Sequence, residues 1–98
     1  MSRHIFRTID RNGAAVTVTL GYDRPLDFVF CTVMDDREEP IYSNLDDDGA
    51  GTHQQDIVYY RPILTRLGIE VPEAMFVEVE SDQANVVGNR VVEHTVSR

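Results

Sequence analysis

The order of hydrophobic patterns along the chain predicts an α+β fold: a small antiparallel sheet of four to five strands with two helices packed on one face. Strand-like patterns come first, helical patterns follow, and a strand-like pattern returns near residue 90. This order is typical of the class, because the helices then cover one face of the sheet. A length of 98 residues is that of one domain, so residues 1–98 are predicted to share a single core.

The first two strands are predicted at residues 4–9 and 14–20, on either side of an Asn-Gly turn. Asn-Gly between two apolar runs is a strong hairpin signal. Val16, Val18 and Leu20 share one face of the second strand, and threonines occupy the other. This alternation predicts a strand with one buried face.

The third strand is predicted at residues 28–34, which are apolar on both faces. Such a run indicates a central strand that is covered on two sides or flanked by neighbouring strands. A turn at 35–40, a short strand at 41–42 and an acidic loop at 44–52 are predicted to follow.

The first helical pattern begins near residue 54 and places Ile57, Tyr60 and Leu64 on one face. Pro62 conflicts with a continuous helix, because proline in a helix interior costs about 3 kcal/mol. The helix is therefore predicted to kink, or to begin around Tyr60 with Pro62 in its first turn.

The second helix is predicted to open at Pro72, with Met75, Phe76 and Val79 directed inward. A strand over residues 76–80 fits the Val-Glu-Val-Glu alternation nearly as well, and the helix is the favoured interpretation. A last strand is predicted over residues 89–96.

The charge of the chain is strongly acidic, with 17 acids against nine bases and a net charge of −8. All the bases are arginine, so chemistry that needs lysine is excluded, including Schiff-base catalysis and the Walker-type phosphate loop. Seven acids and one arginine give residues 35–48 a net charge of −6. The predicted interaction surface consists of these acids: Asp35, Asp36, Glu38, Glu39, Asp46, Asp47 and Asp48.

This concentrated negative charge predicts a binding module that docks on a basic surface of a protein partner. A sharper version is an inhibitor that mimics nucleic-acid phosphates. Direct binding of nucleic acid is not expected, because the field of the domain repels phosphates.

The segment 44–55 suggests a calcium-binding loop as a further alternative. It places Asn44, Asp46, Asp48 and Gly49 at positions 1, 3, 5 and 6 of an EF-hand-type loop. Position 12 is Gln55 instead of the bidentate glutamate, which favours a solvated acidic loop without an ion.

A small enzyme or ligand-binding domain, with a pocket between sheet and helices, is the other alternative. The sequence shows no catalytic motif or cofactor fingerprint, so no catalytic or cofactor-binding residue is assigned. The residues expected to line such a pocket are Tyr42, Tyr59, Tyr60, Arg61 and His94.

The histidines and the cysteine carry no recognisable site. His4, His53 and His94 share no ligand spacing, so no metal is predicted, and His94 is interpreted as a satisfied sheet residue. Cys31 lies in an apolar run, which indicates a buried, inert thiol.

The chain contains no run of about 20 apolar residues and no signal-peptide pattern, which predicts a cytoplasmic protein without a membrane span. Four segments, at 21–26, 41–45, 68–75 and 87–94, resemble segments of a family of short bacterial proteins with no assigned function. The resemblance implies a bacterial cytoplasmic protein. A homodimer is one way to cover the second apolar face of residues 28–34.

Overall fold

The computed structural model describes residues 2–25, 28–47 and 57–94. It contains a five-stranded sheet with the strands β1 (Ser2–Ile9), β2 (Ala15–Asp23), β3 (Phe28–Asp35), β4 (Pro40–Ser43) and β5 (Arg90–His94). The helices are α1 (Tyr60–Arg66) and α2 (Glu73–Ala84), and short 3₁₀ turns cover Asn44–Asp46 and Ile57–Tyr59. The predicted α+β class, with a small sheet and two helices, is confirmed.

The sheet has the strand order β4-β3-β2-β1-β5, and its first four strands are antiparallel neighbours. The last strand differs from the prediction, because β5 pairs parallel to β1. Strands that are joined by a hairpin pair antiparallel. β5 instead follows α2 in the chain, and a helical crossover permits its parallel pairing with β1. The sheet is therefore mixed.

Among the described residues, the side chains of one sheet face are buried, and those of the other face are mostly half-buried or exposed. Val16, Val18 and Leu20 are at most 3% exposed, which confirms the alternation predicted for β2. In β3, Val33 is buried, while Met34 on the opposite face is 36% exposed. The prediction allowed two environments for β3. The structure has the second of them, a central strand flanked by β2 on one side and β4 on the other.

The helices provide the cover. α1 begins at Tyr60 and holds Pro62 in its first turn, where the missing N–H has no intrahelical partner to lose. The second helical segment is a helix, as favoured, and its residues Met75, Phe76 and Val79 are buried in the core. Burying each such side chain stabilises the fold by about 1.5–3 kcal/mol.

The two helices are joined at the surface by an ion pair. Arg61 donates two hydrogen bonds of 2.8 Å to the carboxylate of Glu73, and its guanidinium lies 4.2 Å from the centre of the Phe76 ring. Bidentate arginine–carboxylate geometry restricts orientation more than a single contact does. Within the described residues, none of the helices combines the length and apolar character needed to cross a bilayer.

Candidate functional site

The predicted acidic surface lies around β4, the edge strand of the sheet. Three exposed carboxylates, Asp36, Glu38 and Glu39, belong to the β3–β4 turn, and exposed Asp46 follows the other end of β4. Asp35 and Asp47 are half-buried, and Asp48 lies outside the described residues. The six described residues therefore form two groups: four exposed carboxylates, and two half-buried carboxylates that make hydrogen bonds within the fold.

Asp35 is used to build the β3–β4 turn. Its Oδ1 accepts hydrogen bonds from the backbone N–H groups of Arg37 (2.8 Å) and Glu39 (2.9 Å). Glu38, between them, has a φ of 61°, a left-handed conformation that a side chain disfavours. These hydrogen bonds thus fix the backbone of the turn that carries Asp36, Glu38 and Glu39.

Asp47 is used to tie β4 to the start of α1. Its Oδ2 accepts from the hydroxyl of Tyr42 at 2.6 Å and from that of Tyr59 at 3.0 Å. Burial raises the pKa of Tyr42, and its hydrogen bond to Asp47 raises it further, so the phenol keeps its proton.

The predicted calcium-binding loop lies only in part within the described residues. Of the predicted calcium loop, residues 44–47 are described, and residues 48–55 lie outside the described part of the chain. The amide Oδ1 of Asn44 accepts from the backbone N–H of Cys31 at 3.3 Å.

Cys31 is buried, as predicted, and burial raises the pKa of its thiol to about 12.

The residues expected to line a pocket do not converge on one cavity. Tyr42 and Tyr59 meet at Asp47, Tyr60 donates to the Val29 carbonyl oxygen, and His94 lies on β5 at the opposite edge of the sheet. A cavity of about 860 Å³ lies elsewhere. Its lining comes from the end of β1, the β1–β2 turn and the α1–α2 connection.

A second site, absent from the sequence prediction, lies between β1, β5 and α2. His4 and His94 lie on neighbouring strands, two residues apart in register, because His4 pairs with Val92 and Phe6 with His94. Glu78 and Asp82 are four residues apart on α2, so both side chains reach the same strands. The cluster brings together residues that are up to 90 positions apart in sequence.

The inner half of this cluster is built around Asp82, which is 1% exposed. Its Oδ2 lies 2.6 Å from Nε2 of His4, its Oδ1 accepts from Arg90 at 2.8 Å, and it also accepts from the Ser2 hydroxyl. Burial alone would raise the pKa of Asp82, but the hydrogen bonds from His4, Ser2 and Arg90 outweigh it and hold the pKa below its usual range. Asp82 is therefore an ionised carboxylate that is itself shielded from solvent.

The outer half consists of His94 and Glu78. His94 Nε2 lies 2.9 Å from Nδ1 of His4 and 3.5 Å from Oε2 of Glu78, while Arg90 donates to Oε1 of Glu78 at 2.9 Å. Burial lowers the pKa of His94 in spite of the nearby Glu78 carboxylate. His94 is therefore neutral at neutral pH, and the neutral imidazole is the form of histidine that binds metal ions.

The cluster contains one group with metal-ligand geometry. His4, Glu78 and His94 each offer a ligand atom, and these atoms lie within 4.8 Å of one another. The interpretation of His94 as an isolated sheet residue is incomplete, because it contacts both His4 and Glu78. A signal was present in the sequence: Asp82 follows Met75 and Val79 on the buried face of α2, where a carboxylate needs a partner.

Comparison with known proteins adds no assignment: no family model, no curated protein and no solved structure matches the chain.

Proposed function

We propose that this domain is a binding module that docks on a basic, extended segment of a partner protein through β4 and the acidic residues at its two ends. The observation that carries the proposal is the placement of exposed carboxylates on both sides of an edge strand. We call β4 with Asp36, Glu38, Glu39 and Asp46 the acidic edge.

The strand geometry supports an extended partner. β4 is the terminal strand of the described sheet, and it pairs with β3 on one side only. A sheet edge offers backbone N–H and C=O groups to an added strand, which gives affinity without dependence on sequence. Pro40 lacks an N–H group, so the remaining residues of this short strand would carry the pairing.

The charges support a basic partner. Within the described residues, none of the four exposed carboxylates of the acidic edge takes part in a salt bridge. Each exposed pair with a partner's arginine or lysine would contribute about 0.2–1 kcal/mol. The summed field acts mainly on the association rate, and salt weakens it.

Exposed apolar side chains beside these charges provide contact area. Leu45 is 85% exposed, and Ile41 is 47% exposed. A hollow of about 250 Å³ lies next to them and is lined in part by Tyr42 and Asp46. Aliphatic contacts with a charged rim are the usual composition of a protein interface.

The test uses a peptide of alternating arginine and valine, because it presents one basic and one apolar face when extended. We expect saturable binding that shifts the amide NMR signals of Ile41 and Leu45 and weakens as salt is raised. The double variant E38Q/E39Q should weaken binding by about 5-fold or more, in keeping with two exposed charge pairs.

The matched control is E70Q/E80Q, which removes the same number of exposed carboxylates outside the acidic edge. If the two double variants weaken binding equally, the peptide senses only net charge, and the proposal is wrong. Binding that shifts signals on β5 and leaves those of β4 in place would also contradict it.

A further inference from the structure

We propose that His4, His94 and Glu78 bind one divalent transition-metal ion of the zinc class, through Nδ1 of His4, Nε2 of His94 and Oε2 of Glu78. This site is separate from the acidic edge, since β5 and β4 are at opposite ends of the sheet. The proposal is independent of the docking function.

The hydrogen bond to Asp82 directs Nδ1 of His4 toward the ion. Because Asp82 is an acceptor only, the proton of neutral His4 resides on Nε2, 2.6 Å from the carboxylate. Nδ1 then carries a lone pair and accepts a hydrogen bond from Nε2–H of His94 at 2.9 Å. An ion bound between the two nitrogens replaces this hydrogen bond, and neutral His94 then carries its proton on Nδ1. Histidine ligands of zinc are commonly held in this way, by a carboxylate on the other ring nitrogen.

Arg90 gives Glu78 a corresponding orientation. It donates to Oε1, which leaves Oε2 directed at His94 at 3.5 Å. The same guanidinium contacts Asp82, so one side chain positions both carboxylates. Asp82 and Arg90 are positioning residues, because each contacts a ligand residue and neither belongs to the ligand set.

Two of the separations between ligand atoms are close to what a tetrahedral ion needs, and all the ligand atoms lie within 4.8 Å of one another. Zinc–nitrogen bonds of about 2.0–2.1 Å place two tetrahedral ligands about 3.3 Å apart. The His4–His94 separation of 2.9 Å must therefore widen by only about 0.4 Å, while the His94–Glu78 separation of 3.5 Å must close by about 0.2 Å. Of the three ligand residues Glu78 is the most exposed, so rotation of its side chain is the simplest way to adjust this spacing.

The charge of the cluster favours a cation. Histidine binds a metal ion as the neutral imidazole. In that form Asp82 and Glu78 contribute two negative charges and Arg90 one positive charge, so the cluster is net −1. His4 is fully buried, which weakens solvent screening of an ion at Nδ1. The side chain of Glu78 is 37% exposed, and it leaves a route for the ion and for a water as fourth ligand.

The ligand set selects the class of ion. Two imidazole nitrogens and one carboxylate suit zinc, cobalt and nickel, whereas calcium and magnesium prefer oxygen ligands alone. Cys31 cannot join the set, because β3 is separated from β5 by β2 and β1.

The experiment titrates the full chain, freed of metal with a chelator, with Co²⁺ and with Zn²⁺ in competition with a chromogenic chelator. We expect one equivalent of Zn²⁺ to bind, one equivalent of Co²⁺ to give visible absorption bands of a low-coordinate site, and no displacement by Mg²⁺. An absence of saturable binding by either ion would overturn the proposal.

Variants then locate the ion. His4→Ala also removes packing at a fully buried position, so His94→Ala and Glu78→Gln decide the outcome, with circular dichroism as the check on folding. His94→Ala should weaken Zn²⁺ binding more than about 100-fold and Asp82→Asn about 10–100-fold. Glu78→Gln should weaken it at least about 10-fold.

The control is His53→Ala, which removes the third histidine of the chain. It should change Zn²⁺ affinity less than about 2-fold, since His53 is not one of the proposed ligands. Binding that is lost in His53→Ala and kept in both His94→Ala and Glu78→Gln would place the ion elsewhere and refute the site.

Discussion

Asp82 accepts a hydrogen bond from Nε2 of His4 at 2.6 Å, in a position where the two side chains are 1% and 0% exposed. This contact joins the first strand of the chain to the second helix. It also determines which ring nitrogen of His4 faces His94. The contact therefore has a structural consequence and a chemical one, and the two can be measured separately.

Replacing Asp82 tests the structural consequence. Asp82→Asn leaves Arg90 and His4 without their charged acceptor, and we expect the free energy of unfolding to fall by roughly 3 kcal/mol. Urea unfolding monitored by circular dichroism measures the change. Glu80→Gln, on the exposed side of α2, is the control and should stay within about 0.5 kcal/mol of the parent protein. Equal stability of the two variants would show that the buried network contributes little.

The pH dependence of stability follows from two lowered pKa values. Ionised Asp82 and neutral His94 are the favoured forms in the folded state, so both contribute stability above their unfolded pKa values. As the pH falls, stability should decrease first below about 6.5 through His94 and then below about 3.9 through Asp82. The three groups that face His94 are Glu78, His4 and Arg90.

Urea midpoints measured across this pH range give the check. His94→Gln should flatten the slope between about pH 7 and 5, and Asp82→Asn should flatten it below about pH 4. A parent protein that gains stability on acidification would contradict the assigned directions.

The turns β1–β2 and β3–β4 use the same construction, which leads to a stabilising substitution. Asp10 caps the first turn as Asp35 caps the second, and the left-handed position is Gly13 (φ 80°) in one and Glu38 (φ 61°) in the other. Glu38→Gly should therefore raise the free energy of unfolding by about 0.5–1 kcal/mol. Gly13→Ala should lower it by about 1 kcal/mol. Thermal melts compare them, and a lower melting temperature for Glu38→Gly would refute the argument.

The end of α2 offers another such position. Val86 has a φ of 52°, and its N–H and that of Val87 donate to the carbonyl oxygens of Gln83 and Asp82, which is the Schellman arrangement. A β-branched residue in this conformation costs about 1–2 kcal/mol. Val86→Gly should raise the melting temperature, whereas Val77→Gly, at an exposed position inside the same helix, should lower it. Lower stability of both variants would contradict the prediction.

The sequence predicted the elements whose signals are local. The alternation of Val16, Val18 and Leu20 and the helical spacing of Tyr60 and Leu64 depend on neighbouring residues, and both predictions are confirmed. The acidic surface was predicted by composition, but the use of Asp35 and Asp47 inside the fold was not. Carboxylates in a polar loop look alike in sequence, whether they are solvated or bonded.

The histidine cluster could not be predicted from local patterns. It depends on the parallel pairing of β1 with β5, which brings His4 and His94 together from the two ends of the chain. No local spacing pattern in a sequence indicates a contact between residues that are so far apart along the chain. Only the buried position of Asp82 on α2 indicated that a polar partner was required.

The nitrogen-15 spectrum of the imidazole rings, recorded by two-bond proton correlation at neutral pH before and after one equivalent of Zn²⁺, tests the arrangement around His4 most directly. We expect His4 to carry its proton on Nε2 in both states, with Zn²⁺ shifting the signals of His4 Nδ1 and His94 Nε2. A proton on Nδ1 of His4, or ring signals that stay unchanged after the addition of Zn²⁺, would contradict the metal site.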